Sequence, residues 1–146
     1  MSNGRDSVTL NISSQSLQKI IVKNDSKELV EQAQSIGETL GKKLTTNQIR
    51  AIFGTVRQIE MNWDDTATAA KQADAQRQLI LLKPKMAYRA TKEGRQGQGL
   101  AALTEVLTEA IDLVVQNDAT DQRERFGRFV DFFEAILAYH AVAGGR

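Results

Sequence analysis

Thr45-Thr46-Asn47-Gln48-Ile49-Arg50-Ala51-Ile52-Phe53-Gly54-Thr55-Val56-Arg57-Gln58-Ile59-Glu60-Met61-Asn62-Trp63 reads as one amphipathic helix. Thr45-x-x-Gln48 is a capping-box pattern, in which the hydroxyl and the carboxamide each satisfy a backbone N–H at the helix start. Ile49, Ile52, Phe53, Val56, Ile59 and Trp63 recur at spacings of three and four, which predicts a single buried stripe. The same period continues on both sides. Leu29, Ala33, Ile36 and Leu40 predict a preceding helix that Gly41 stops. Asp64 or Asp65 can cap an alanine-rich helix running to Leu82. Pro84 then breaks or kinks the chain, because the residue before a proline is disfavoured in the α region. Three glycines in Gly94–Gly99 predict a flexible loop.

Leu100, Leu103, Leu107, Ala110, Ile111 and Val114 form the next stripe. Val106, Leu113 and Val115 widen its apolar face, which predicts a central position. Thr120 or Asp118 caps a last helix carrying Phe126, Phe129, Val130, Phe133, Ile136 and Leu137, and Gly144-Gly145 ends it. No strand pattern, internal repeat or sustained heptad competes. The prediction is an all-α, single-domain bundle of about five to six helices over residues 26–146. Residues 1–25, rich in Ser and Asn, read as a flexible arm with a short ordered piece near Leu17–Val22.

At 146 residues the chain suits one domain with a real core. Its 19 basic and 18 acidic residues leave a net charge of +1, so any affinity for nucleic acid must come from local patches. The absence of cysteine removes disulfides, thiolate metal sites and cysteine nucleophiles together. No apolar run approaches the roughly 18 residues that span a bilayer. The start, Met1-Ser2-Asn3-Gly4-Arg5-Asp6, lacks the apolar segment of a signal peptide. These features predict a cytoplasmic protein with no membrane partner.

No catalytic constellation emerges. His140, the single histidine, shares a face with Phe129, Phe133 and Ile136 and reads as a core or helix-end residue. Clustered metal ligands are missing for the same reason, and neither metal nor cofactor is expected. Asp64-Asp65 is better explained by capping than as a carboxylate pair. Gly94-x-x-Gly97-x-Gly99 follows a helix rather than a strand, so it is no dinucleotide fingerprint.

Basic residues carry the stronger signal. Lys83, Lys85, Arg89, Lys92 and Arg95 face the single acid Glu93 within Leu81-Leu82-Lys83-Pro84-Lys85-Met86-Ala87-Tyr88-Arg89-Ala90-Thr91-Lys92-Glu93-Gly94-Arg95. With Pro84 as the first residue of a helix, Lys85, Arg89 and Lys92 share one face with Tyr88 at its edge. Lys83 and Lys85 would then sit at the positive end of the helix dipole, which hints at an anionic partner. The alternative is a solvated basic helix. Arg50, Gly54 and Arg57 share a face of the Thr45–Trp63 helix, where a glycine between arginines leaves room for a sugar–phosphate backbone or for another helix. Glu60, inside the apolar stripe, reads as a partner for a nearby cation. Phe132 and Tyr139 share a different side from the core phenylalanines, which suits a subunit contact better than a base-stacking platform.

Three segments in series carry a resemblance: Leu44–Arg57, Leu81-Leu82-Lys83-Pro84-Lys85-Met86-Ala87-Tyr88, and Phe129-Val130-Asp131-Phe132-Phe133-Glu134-Ala135-Ile136-Leu137-Ala138-Tyr139-His140 with Gly144-Gly145. In this order and spacing the chain resembles the small subunit of type III-A CRISPR–Cas interference (Csm) complexes, from about Leu44 to the C-terminus. The resemblance implies a non-catalytic subunit of an RNA-guided antiviral effector, stacked in several copies along a ribonucleoprotein filament. Its implied partners are guide RNA and target RNA, neighbouring copies of itself, and the backbone and large polymerase-like subunits. Matching basic positions are Arg50, Arg57, Lys83 and Lys85, and the helical-face argument adds Gly54, Arg89, Lys92 and Arg95. Phosphate contacts there would position a strand without reading its sequence, which base pairing would supply. A helical protein–protein scaffold that ignores nucleic acid is the alternative.

Overall fold

A computed structural model describes residues 8–64, 66–116 and 119–144. Six helices follow one another: α1 (Ser14–Ile21), α2 (Ser26–Leu40), α3 (Thr46–Asn62), α4 (Ala69–Lys92), α5 (Gln98–Val114) and α6 (Gln122–Val142), with a 3-10 turn at Gly94–Gly97. No strand occurs among the described residues. The fold is an all-α bundle. Local chemistry starts four of these helices in the same way. Ser13, Asp25, Thr45 and Thr68 each accept a hydrogen bond from the backbone N–H three residues on, at 3.0–3.2 Å. At Thr45 the capping box is complete, since Gln48 Oε1 accepts from Thr45 N at 2.9 Å.

Helix α5 is central, as its wide apolar face predicts, with 11 of its 17 residues buried. The buried stripe of α3 is Ile49, Ile52, Val56 and Ile59, closed by Trp63 just beyond the helix. Trp63, Phe126, Phe129, Phe133 and Phe53 form an aromatic column, each ring centroid 5.1–6.4 Å from the next.

The ordered piece expected near Leu17–Val22 is α1, but the segment around it packs on the core rather than forming an arm. Leu17, Ile20 and Ile21 of α1 are fully buried, and Val8, Leu10 and Ile12 pack against the same core. Arg128 Nη1 donates to the carbonyls of Ile21 and Val22 at 3.0 and 3.2 Å, satisfying the C-terminal end of α1 from more than 100 residues away. That anchor has no local sequence signal. Residues 1–7 lie outside the described residues.

Helices α2 and α6 make the closest seam. A Cβ at Gly37 would stand 2.6 Å from Tyr139 Cβ and 2.8 Å from the His140 backbone nitrogen, and one at Gly41 would stand 2.8 Å from Ala143 Cβ. Gly41 has a helical φ of −45°, so it serves close approach rather than a left-handed helix stop. His140 is buried, with Nε2 2.5 Å from the Leu44 carbonyl, in accord with a core histidine.

Three boundaries depart from the sequence reading. Pro84 neither starts nor ends a helix, because α4 runs through it from Ala69 to Lys92. Its missing N–H strips Ile80 of a helical partner, and both Pro84 and Ile80, 42% exposed, lie on the solvent side of the helix, where such a loss costs least. Lys83 and Lys85 are therefore mid-helix, and the dipole argument for an anionic partner falls. Arg89 and Lys92 instead occupy the last turn, where cations suit the dipole. Asp64 caps no helix; it accepts from Thr66 N and Oγ1 at 2.9 and 2.8 Å, bonds that hold its carboxyl below the usual carboxylate range. Asp65 and Asp118 lie outside the described residues, and α6 follows Asp121 rather than Thr120. The Gly94–Gly99 stretch is an ordered turn. Cβ atoms at Gly97 and Gly99 would collide with the Ala90 and Lys43 carbonyls, respectively.

Candidate nucleic-acid interface

Turns of about 100° per residue divide the cations of α4 between two sides. Lys85, Arg89 and Lys92 fall within roughly 60° of one another and face α3. Lys83 lies about 120–180° round the helix from them, toward α5, where its Nζ is 2.5 Å from Asp112 Oδ1. The expected single cluster is thus split. Lys83 is half-buried and neutralised, whereas Lys85, Arg89 and Lys92 are exposed and make no ion pair among the described residues. The Arg95 side chain lies outside the described residues.

Between α3 and α4 runs an open groove of about 420 Å³. Ile52, Leu82 and Met86 supply an apolar floor, and Lys85, Arg89 and Lys92 supply a basic wall. Tyr88 stands beside them, 68% exposed. The carboxylate of Glu93 closes one end and accepts from Gln48 Nε2 at 2.9 Å, while the same nitrogen reaches the Gln96 carbonyl at 3.1 Å. Gln48 thereby does two tasks, completing the cap of α3 and fixing the end of α4 beside it. The sequence pattern exposes only the first.

Arg50, Gly54 and Arg57 do not line this groove. They occupy the side of α3 turned away from its buried stripe, and no atom beyond the local backbone lies within 4 Å of a Cβ placed at Gly54. No helix among the described residues packs there. Arg57 is partly engaged, with Nη1 3.0 Å from Glu60 Oε1 and Cζ 5.9 Å from the Phe53 ring centroid. Glu60 is half-buried and does hold a nearby cation, as its place in the stripe suggests. Arg50 is exposed without an ion pair among the described residues. The exposed cations therefore fall in two groups, one lining the groove and one on the side of α3 that does not line it.

The proposed subunit contact needs correction. Phe132 is fully buried. It shares the side of α6 that carries Tyr139, and α2 covers that side through Gly37. Tyr139 is partly buried in the same seam. Helical spacing sets Phe132 apart from Phe129 and Phe133 in angle, yet that side of α6 is covered as well. Tyr88 is the aromatic left open, and only its place at the edge of a basic face signalled it.

Among the described residues, no group of three or more His, Asp or Glu could hold a metal ion, and no helix is long and apolar enough to cross a membrane. The family model described as Csm2 Type III-A matches residues 23–146. No curated protein matches the chain, and no solved structure does.

Proposed function

We propose a function from one premise: this chain belongs to the Csm2 type III-A family and is a small subunit of a type III-A Csm complex. In that complex, in the cytoplasm, it holds the guide RNA and target RNA by their backbones and performs no catalytic step of its own. The observation that carries this reading is the wall of Lys85, Arg89 and Lys92, three exposed cations without ion-pair partners among the described residues, on one side of an open groove. Three such charges on one chain give weak binding. Copies aligned along one strand multiply the contacts, because each later contact is intramolecular. Neighbouring copies and the backbone and large polymerase-like subunits are the protein partners in this reading. Arg50 and Arg57 flank open space at Gly54 and supply a second contact surface. Lys83, paired with Asp112, adds little.

The test is RNA titration of the assembled complex at several salt concentrations, comparing wild type with a Lys85→Ala/Arg89→Ala/Lys92→Ala variant. Affinity should fall uniformly across sequences, and the salt dependence should flatten by roughly one unit per lost phosphate contact. Unchanged affinity and slope in a correctly assembled variant would reject the groove as an RNA surface. A scaffold reading has one observation of its own: Met61, 72% exposed, extends the Arg50–Gly54–Arg57 face by a turn and suits contact with protein.

A further inference from the structure

We infer that the α3–α4 groove takes a single unpaired nucleotide, its base stacked on Tyr88 and its phosphate held by Lys85, Arg89 and Lys92. This rests on the reading of the groove as an RNA surface and specifies what enters it. A wholly paired strand would need only cations on a convex or flat face, since its phosphates are outside and its bases are shielded. This site has more than that. Its floor is apolar, closed by Ile52, Leu82 and Met86, which at 1–3% exposure are already buried, so the apolar surface open to a ligand is the ring of Tyr88. Its volume of about 420 Å³ lies in the range of about 300–1,000 Å³ typical of small-molecule pockets. Tyr88 is 68% exposed, and an aromatic side chain open to solvent beside three cations offers a π-face to any base.

Glu93 gives the ligand a direction. Its carboxylate, fixed by Gln48, repels phosphate at that end of the groove and can accept from an N–H donor on a base edge. The phosphate then belongs at the lysine and arginine wall and the base inside. Stacking is indifferent to sequence, so the site selects for an unstacked nucleotide rather than for a particular one.

The experiment uses the assembled complex with a fluorescein-labelled single-stranded RNA and a blunt hairpin duplex of equal length, followed by anisotropy. Tyr88→Ala should weaken single-strand binding about 10-fold, within the range measured for base–aromatic stacking, and leave duplex binding and salt slope unchanged. Tyr88→Phe, which keeps the ring, should match wild type. A strand carrying 4-thiouridine should crosslink at Tyr88 on irradiation. Equal loss for single strand and duplex in Tyr88→Ala would overturn the inference. So would no loss in Tyr88→Ala when the Lys85/Arg89/Lys92 triple variant loses both, and in that case the groove would still be an RNA surface. If neither variant alters binding by the assembled complex, the inference falls together with the reading it rests on.

Discussion

The α2–α6 seam and the α3–α4 groove are both lined by paired helices, and they end in opposite states. At the seam, Gly37 and Gly41 bring α2 onto Tyr139, His140 and Ala143 so closely that no added methyl fits. At the groove, Ile52 and Met86 meet below while the upper flanks stay apart and carry cations. A glycine sits mid-helix on each side, yet Gly37 is sandwiched and Gly54 faces open space. The difference lies in what the neighbouring helix presents. Helix α6 offers small backbone-proximal atoms at Tyr139 and Ala143, so contact is gained by removing a side chain. Helix α4 offers long charged side chains that stay hydrated, so the flanks remain separated.

The largest test sets the aromatic residue of the closed side against that of the open side. Phe132→Ala should cost about 3–5 kcal/mol as a large-to-small core change, no less than Phe129→Ala. Tyr88→Ala should change stability by less than about 0.5 kcal/mol. Urea denaturation of the three variants would measure this, and a mild Phe132→Ala phenotype would mean that α2 does not cover that face. Next come the two glycines, which should move stability in opposite directions. Gly37→Ala should destabilise by about 1–3 kcal/mol, since the colliding atoms include α6 backbone that cannot rotate away. Gly54→Ala should stabilise by about 0.5–1 kcal/mol, because the helix gains propensity and nothing is displaced. Thermal melts giving both the same sign would erase the distinction between seam and open face.

The smallest effect is expected on the exposed side of α6. Asp131 is surface-exposed, but partial desolvation by the atoms around it, aided by neighbouring Glu134, raises its carboxyl pKa above the usual value. Well below the ordinary aspartate pKa both folded and unfolded states are protonated, and the group is neutral to stability. Above the raised folded-state value both are ionised, and the folded state bears the penalty. Asp131→Asn should therefore raise the Tm slightly near about pH 7, and the gain should vanish near about pH 3. A gain that persists at low pH would assign it to something other than charge.

Much of the bundle was legible in the sequence because helix formation and amphipathicity are local. The Thr45–Gln48 box, the Ile49–Trp63 stripe and the wide apolar face of α5 all follow from residues within one or two turns of each other. Pro84 misled because the cost of a mid-helix proline depends on where it falls, and Pro84 and Ile80 lie on the solvent side of α4. In the N-terminal segment the ordered piece near Leu17–Val22 was legible, but its polar surroundings read as an arm, because the burial of Leu17, Ile20 and Ile21 depends on a socket built by distant helices. The same limit applied to the candidate site. Lys83 and Lys85 are two residues apart and equally basic, but only one of them has Asp112 beside it.

By itself, then, the sequence determined the all-helical class, the Thr45 cap, most apolar stripes, the central place of α5 and membership in a small-subunit family of type III-A Csm complexes. Periodicity fixes the angle of each side chain about its own helix axis, and that is a local quantity. Tertiary structure alone decided which neighbour lies at that angle. It buried Phe132, left Tyr88 open, separated Lys83 from Lys85, Arg89 and Lys92, and assigned Gly37 to contact and Gly54 to open space. Burial and pairing depend on contacts between residues far apart in the chain, and no local spacing encodes them.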